Sequence, residues 1–199
     1  MCPIHVWCAF LLLFTMGISV PSLAGEPTEK IRETTDKILA IITDPCMKPP
    51  EKITERNRLI REAVDDRFDW GEMARRSLGR HWRKRTGPEK KEFVNIYGDL
   101  LEQTYMGKVG DYSGEKVVYV AEKVEGDYGI VKVKIANHND REIPVMYRLK
   151  KKGKDWLVYD ISIEGVSFVN NYRTQFNSII VRSSYNKLVE KLKAKVKKN

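Results

Sequence analysis

The sequence predicts an α+β domain: helices first, a curved antiparallel sheet of about four strands next, and closing helices last. Three patterns predict it. From residue 27 to 105 the apolar residues recur at the spacing of one helix face. From 116 to 163 four runs alternate apolar and polar side chains with period two, the mark of half-buried strands. After Gly165 the helical spacing returns, in Phe168, Val169, Tyr172, Phe176, Ile179 and Ile180.

Taken in order, residues 6–20 are almost wholly apolar and Ser22-Leu23-Ala24 is a small-x-small cleavage site. Residues 1–24 therefore read as a secretory signal peptide, with Gly25 as the mature start. The apolar run is short for a membrane span, which needs roughly 20 residues. Its flank carries no Lys or Arg, a departure from the usual pattern that keeps an uncleaved anchor as the alternative. Residues 25–199 then form one domain around a single core.

In that domain Ile31, Ile38, Leu39 and Ile42 share one face of a helix over 27–44, stopped by Asp44-Pro45. A second helix opens near Pro49-Pro50, where proline is tolerated, and carries Ile53, Leu59, Ile60 and Val64. FDWGEMARRSLG gives a short third helix ended by Gly79. Thr86-Gly-Pro-Glu89 is a capping box. It opens a long helix whose apolar stripe is Phe93, Ile96, Tyr97, Leu100, Leu101 and Tyr105.

Strands follow at 116–124, 128–136, 142–150 and 155–163, joined by turn-rich segments short enough to make neighbours antiparallel. Val131, Val133 and Ile135 oppose Lys132 and Lys134; Ile143, Val145, Tyr147 and Leu149 oppose Arg148 and Lys150. Leu157, Tyr159, Ile161 and Ile163 oppose Asp160 and Ser162. One sheet face is thus apolar and the other wet, and helices must cover the apolar one. Gly165 lets the backbone turn sharply, so that a helix from Val166 folds back across that face. Leu188, Val189, Leu192 and Val196 mark the last closing helix, within 166–196.

The formal net charge is +9, and the tail KLVEKLKAKVKKN supplies much of it with six Lys against one Glu. A second basic run, RRSLGRHWRKR at 75–85, holds six Arg or Lys and no acid. Export and the lack of any nucleic-acid motif argue against nucleic acid; a solvated face, or docking on an acidic partner or anionic lipid surface, remain. Cys46 is the one cysteine after residue 24, so no internal disulfide is expected, and its place between Pro45 and Met47 reads as a buried, inert thiol.

The search for chemistry is mostly negative. His81 and His138 have no Cys or carboxylate at metal-ligand spacing, and no HExxH, GxSxG, CxxC or Walker sequence occurs. Asp65, Asp66, Asp69 and Glu72 form the one carboxylate cluster. Raised pKa values there would suit catalysis; balance by Arg61, Arg67, Arg75 and Arg76 is the plainer reading. No catalytic residue, metal or cofactor is expected.

DWLVYDISIEGVSFVNNYRTQF, residues 155–176, resembles the strand-to-helix motif of the MlaC family, also called the toluene-tolerance or auxiliary ABC-transport family. Residues 68–117, from FDWGEMARRSLGRHW through the Thr86 helix start to GEKV, are similar to the central helical segment of that family. The resemblance implies a soluble periplasmic protein, not an enzyme, whose helices and sheet enclose an apolar cavity. Its cargo would be phospholipid, carried between an outer-membrane lipoprotein–porin complex and an inner-membrane ABC transporter to maintain outer-membrane asymmetry. A related branch implies hopanoid instead. A monomer suits a shuttle.

On that reading the expected cavity lining is Val131, Val133, Val145, Tyr147, Tyr159 and Ile161 from the sheet, with Tyr97, Leu101 and Tyr105 from the long helix. Phe168, Tyr172 and Phe176 form the lid side. Head-group contact, or docking on partners, falls to Arg80, Arg83, Lys84 and Arg85. Two other classes stay open: a cone-shaped-fold enzyme, which needs a polar group such as Asp69 or Tyr147 projecting into the cavity, and a ligand-free interaction module with a filled core.

Overall fold

A computed structural model describes residues 25–110, 112–136 and 142–197. The expected signal peptide, and the turn that carries His138, lie outside the described residues.

Helix α1 (Glu26–Thr43) has Pro27 and two acids in its first turn, both suited to a helix start, and buries Ile31 and Ile42. The Asp44 carboxylate then accepts the Cys46 N–H at 2.8 Å and closes a single 3₁₀ turn, Pro45–Met47. That turn leaves Cys46 exposed, which corrects the expectation of a buried thiol. Another short turn, Pro50–Lys52, leads into α2 (Ile53–Asp65). In α3 (Trp70–Leu78) the Asp69 side chain accepts the Glu72 N–H, and Gly79 ends the helix at φ +58°. The capping box of α4 (Gly87–Gly110) forms as the sequence predicts: Thr86 Oγ1 accepts the Glu89 N–H at 3.3 Å, and Glu89 Oε2 accepts the Thr86 N–H at 2.7 Å.

Strands β1 (Lys116–Glu125), β2 (Tyr128–Ala136), β3 (Glu142–Lys152) and β4 (Asp155–Ile163) form an antiparallel meander. Glu164 and Gly165 have φ of 50° and 82°, positive at both central positions as a tight hairpin turn requires. A fifth strand, β5 (Val166–Ser167), therefore pairs back on β4 before any helix begins. Helix α5 (Phe168–Arg182) starts two residues later than expected, with Ser167 as its cap, and α6 (Tyr185–Lys197) closes the chain.

Asp160 holds this corner. It is only 5% exposed. Its Oδ1 accepts the Val169 N–H at 3.1 Å, while Oδ2 accepts Ser167 Oγ at 2.7 Å and Arg148 Nη1 at 2.9 Å. Asp160 and Ser162, expected on a wet face, are thus buried against α5. The same hydrogen bonds hold α5 to the sheet edge, where it touches β4 and β5 rather than folding back across the apolar face.

Beside it the segment before α3 covers the rest of that edge. Phe68 bridges Val158 in parallel, with Val158 N–H donating to Arg67 O and Asp69 N–H donating to Val158 O, both at 2.9 Å. Arg67, itself buried, donates to Asp155, Trp156 O and Thr34. The molecule is thus a sheet with α1 on its apolar face and the bundle α3–α6 attached along the β4 edge.

Candidate functional site

The apolar sheet face is built from strand register. Val133, Val145 and Ile163 form one cross-strand row; Val131, Tyr147 and Ile161 form the next. Tyr119 pairs with Val133 at the β1 end, and Ile135 pairs with Ile143. Val131, Val133 and Val145 are 0–3% exposed, yet Tyr119, Ile135, Ile143, Tyr147, Ile161 and Ile163 are only partly buried. This is an apolar wall that its helices leave incompletely covered. Ile161 and Ile163 pack against both the sheet cluster and the helical cluster, so the wall continues to the bundle.

At its β1 end the wall carries the Arg32 guanidinium, 4.1 Å from the Tyr119 ring centre, while its tyrosines are uncharged. Burial pushes the Tyr147 phenol up to about 12 and raises Tyr119 as well, so both stay neutral at any physiological pH. Glu122 shares the face through its pairing with Val131, but its carboxylate accepts the Thr28 N–H at 2.8 Å at the start of α1. At the bundle end Phe168 stacks on Tyr105, with ring centroids 4.4 Å apart.

The structure divides the residues expected to line a cavity. Val131, Val133, Val145, Tyr147 and Ile161 share the wall, and Tyr105 and Phe168 stand together in the adjoining helical cluster. Tyr97, Leu101, Tyr172 and Phe176 are buried in the helical core. There Tyr97 meets Tyr172 and Phe176 edge-on at 5.6 and 6.0 Å, and its hydroxyl accepts Ser77 Oγ at 2.9 Å. Tyr159 is a correction. A β-bulge in β4 pairs Arg148 with Asp160 but Leu149 with Val158. The extra residue flips the strand and puts Val158 and Trp156 on the apolar face. Tyr159 instead lies under the Arg76 guanidinium at 4.2 Å, edge-on to Tyr128.

The expected lining omits Tyr119, Ile135, Ile143 and Ile163, although strand alternation places the last three on the same apolar face. Tyr119 sits beside a second bulge, between Tyr119 and Ala121, that blurs its period.

The basic run is partly spent on the fold. Arg75 and Arg76 pair with Glu72, Arg80 donates to Asn177 at 3.0 Å, and Arg85 reaches both Glu89 and the Tyr185 ring. Arg83 and Lys84 are exposed. The run precedes α4, about 27 Å along that helix from Tyr105 at 1.5 Å per residue.

The carboxylate cluster is likewise structural. Asp65 accepts from Arg61 and Trp70, Asp66 pairs with Lys37, and Asp69 caps α3 and pairs with Lys152. Hydrogen bonds from Arg75, then Arg76, outweigh burial and hold the Glu72 carboxyl at about 2, the opposite of the raised values catalysis would need.

Residues 32–194 match the family model described as MlaC protein. A curated relative from Haemophilus influenzae, the intermembrane phospholipid transport system binding protein MlaC, is 26% identical over 120 residues. That match covers 58% of this chain and 56% of the relative, so the chain spans about half the length of the relative it matches. A solved structure of a phospholipid-binding protein from Ralstonia solanacearum, in complex with a phospholipid, superposes with a TM-score of 0.77. The superposition covers 87% of this chain and 98% of that one at 24% identity, a likeness of fold. With its family model matched across most of the length and the helix–sheet arrangement shared, the chain belongs to the MlaC family.

Proposed function

We propose that this protein is a periplasmic carrier that holds a phospholipid by its acyl chains against the β2–β4 wall. In this account residues 1–24 direct export and are removed, and the remaining domain works as a monomer. It shuttles between an outer-membrane lipoprotein–porin complex and an inner-membrane ABC transporter, and so maintains outer-membrane asymmetry. The observation that carries the reading is the incomplete burial of Tyr147, Ile161 and Ile163 on a sheet face whose central valines are buried. Membership of the MlaC family, and the phospholipid held by the Ralstonia protein of the same fold, support it.

The energetics need little else. Each buried CH₂ is worth roughly 0.8 kcal/mol, so a 16-carbon chain is worth on the order of 12 kcal/mol. A polar cleft has nothing to offset that cost. An apolar wall makes transfer out of a bilayer nearly neutral, and docking then decides its direction. Tyr147, Ile161, Tyr105 and Phe168 are the proposed acyl contacts. Arg83 and Lys84 are proposed to dock acidic surfaces on the partner complexes; their distance from Tyr105 favours that role over contact with the cargo head group.

The test is transfer of a fluorescent phospholipid from donor to acceptor vesicles by the purified protein. Transfer proportional to protein concentration is expected. A folded protein that leaves the donor signal unchanged overturns the proposal, and transfer of a hopanoid but not phospholipid reassigns the cargo.

A further inference from the structure

A cleft of about 380 Å³ opens where the β3–β4 turn meets the start of α4. Its walls carry Arg75, Lys90, Lys91, Lys150 and Lys152 against Asp69 and Glu72, beside Trp82. The two acids are already committed. Asp69 accepts the Glu72 N–H at 3.0 Å and Lys152 Nζ at 2.8 Å, while Glu72 accepts Arg75 at 2.6 and 2.7 Å and Arg76 at 2.7 Å. Lys90, Lys91 and Lys150 pair with no carboxylate among the described residues. Lys90 Nζ stands 5.6 Å from the Trp82 ring centre and Lys150 Nζ 5.6 Å from that of Tyr128.

The three lysines give the cleft a positive potential, which water screens and a bound anion neutralises. Several ammonium donors suit a multiply charged oxyanion better than a single carboxylate. The cleft lies across the sheet from the apolar wall, since Lys150 and Lys152 alternate on β3 with Leu149, which is buried in the apolar cluster. A lipid held on the wall by its chains does not bring its own head group here.

We infer that this cleft is a second binding site, for a phosphate or phosphate-ester group, with Lys90, Lys91 and Lys150 as its ligands. Phosphate esters come from two sources, lipid head groups at a bilayer surface and soluble metabolites. The inference does not depend on the cargo of the wall.

The experiment measures two arms at low ionic strength: equilibrium dialysis with inorganic phosphate and with glycerol phosphate, and flotation with phosphatidylglycerol vesicles against phosphatidylcholine vesicles. Two triple variants are compared with the parent. K90E/K91E/K150E reverses the cleft, and K191E/K195E/K197E reverses three exposed tail lysines, with the same change from a net charge of +9. None of the six lysines forms an ion pair among the described residues, and a thermal melt checks that both variants fold. Binding in either arm, at least about tenfold weaker in the cleft variant and kept in the tail variant, supports the site. Binding to vesicles alone assigns the head group as the source, and binding of the soluble esters assigns a free phosphate group. Absence of binding in both arms, or equal loss in the two variants, overturns it.

Discussion

Replacing Asp160 with alanine tests how the chain turns from sheet to helix. The carboxylate is 5% exposed and accepts three hydrogen bonds, from Arg148, Ser167 and the Val169 backbone. Hydrogen bonds to a charged group contribute about 1.5–3 kcal/mol each, but three on one carboxylate are not additive. After the substitution Val169 N–H is left buried without an acceptor. Arg148 keeps only Ser162 Oγ, at 2.9 Å. Breaking a buried pair from one side costs about 3–5 kcal/mol, and the 31% exposure of Arg148 places this loss toward the lower end. For a domain of this size each kcal/mol lowers Tm by about 2–4 °C, so D160A is expected to melt some 6–20 °C below the parent, by roughly that scaling. Calorimetry and urea unfolding measure it, with D160N, which keeps one acceptor oxygen, expected in between. A loss under about 1 kcal/mol would refute the reasoning and assign the corner to packing alone.

Two further perturbations read other parts of the structure. Glu72 has its carboxyl depressed from the ordinary 4.5 to about 2 by Arg75 and Arg76. A depressed carboxylate contributes stability that is present above pH 4.5 and lost as pH falls toward 2. E72Q should therefore be less stable than the parent by on the order of 2 kcal/mol at neutral pH, and urea unfolding at a series of pH values should show the gap closing near pH 2. Ile161→Trp adds bulk to the wall; it is expected to lower the lipid recovered per protein several-fold while the melting temperature holds, as measured by extraction beside a thermal melt. Unchanged lipid content would move the cargo elsewhere.

Much of the fold is legible because short-range periodicity reports burial directly. The Thr86–Glu89 capping box, the α4 stripe and the alternation along β2 and β3 are local patterns, and each forms. The misreadings share a cause: they depend on partners far away in sequence. A bulge has no composition of its own, so nothing in WLVYDI marks the flip that takes Tyr159 off the wall. Asp160 and Ser162 look solvated on a strand read alone, and become buried only because Ser167 and Val169 return to meet them. β5 is two residues long, below any period.

The composition of the apolar wall was legible in part for the same reason. Val131, Val145, Tyr147 and Ile161 were identified by strand alternation, which fixes the face. Tyr97, Tyr172 and Phe176 were placed beside them because a helical stripe says that a residue is buried and not what it is buried against. Their ring contacts show the answer, which is one another. Cys46 failed differently: a three-residue 3₁₀ turn in the connection between two helices leaves no interior for it to occupy.

The central claim is that the β2–β4 wall is covered by a lipid when the protein is at work. Native mass spectrometry of the protein exported and purified without detergent, followed by solvent extraction, tests it most directly. The account predicts a mass equal to residues 25–199 plus one phospholipid, with the lipid identified in the extract. A folded protein of bare mass, which yields no lipid and takes none up from vesicles, would contradict it.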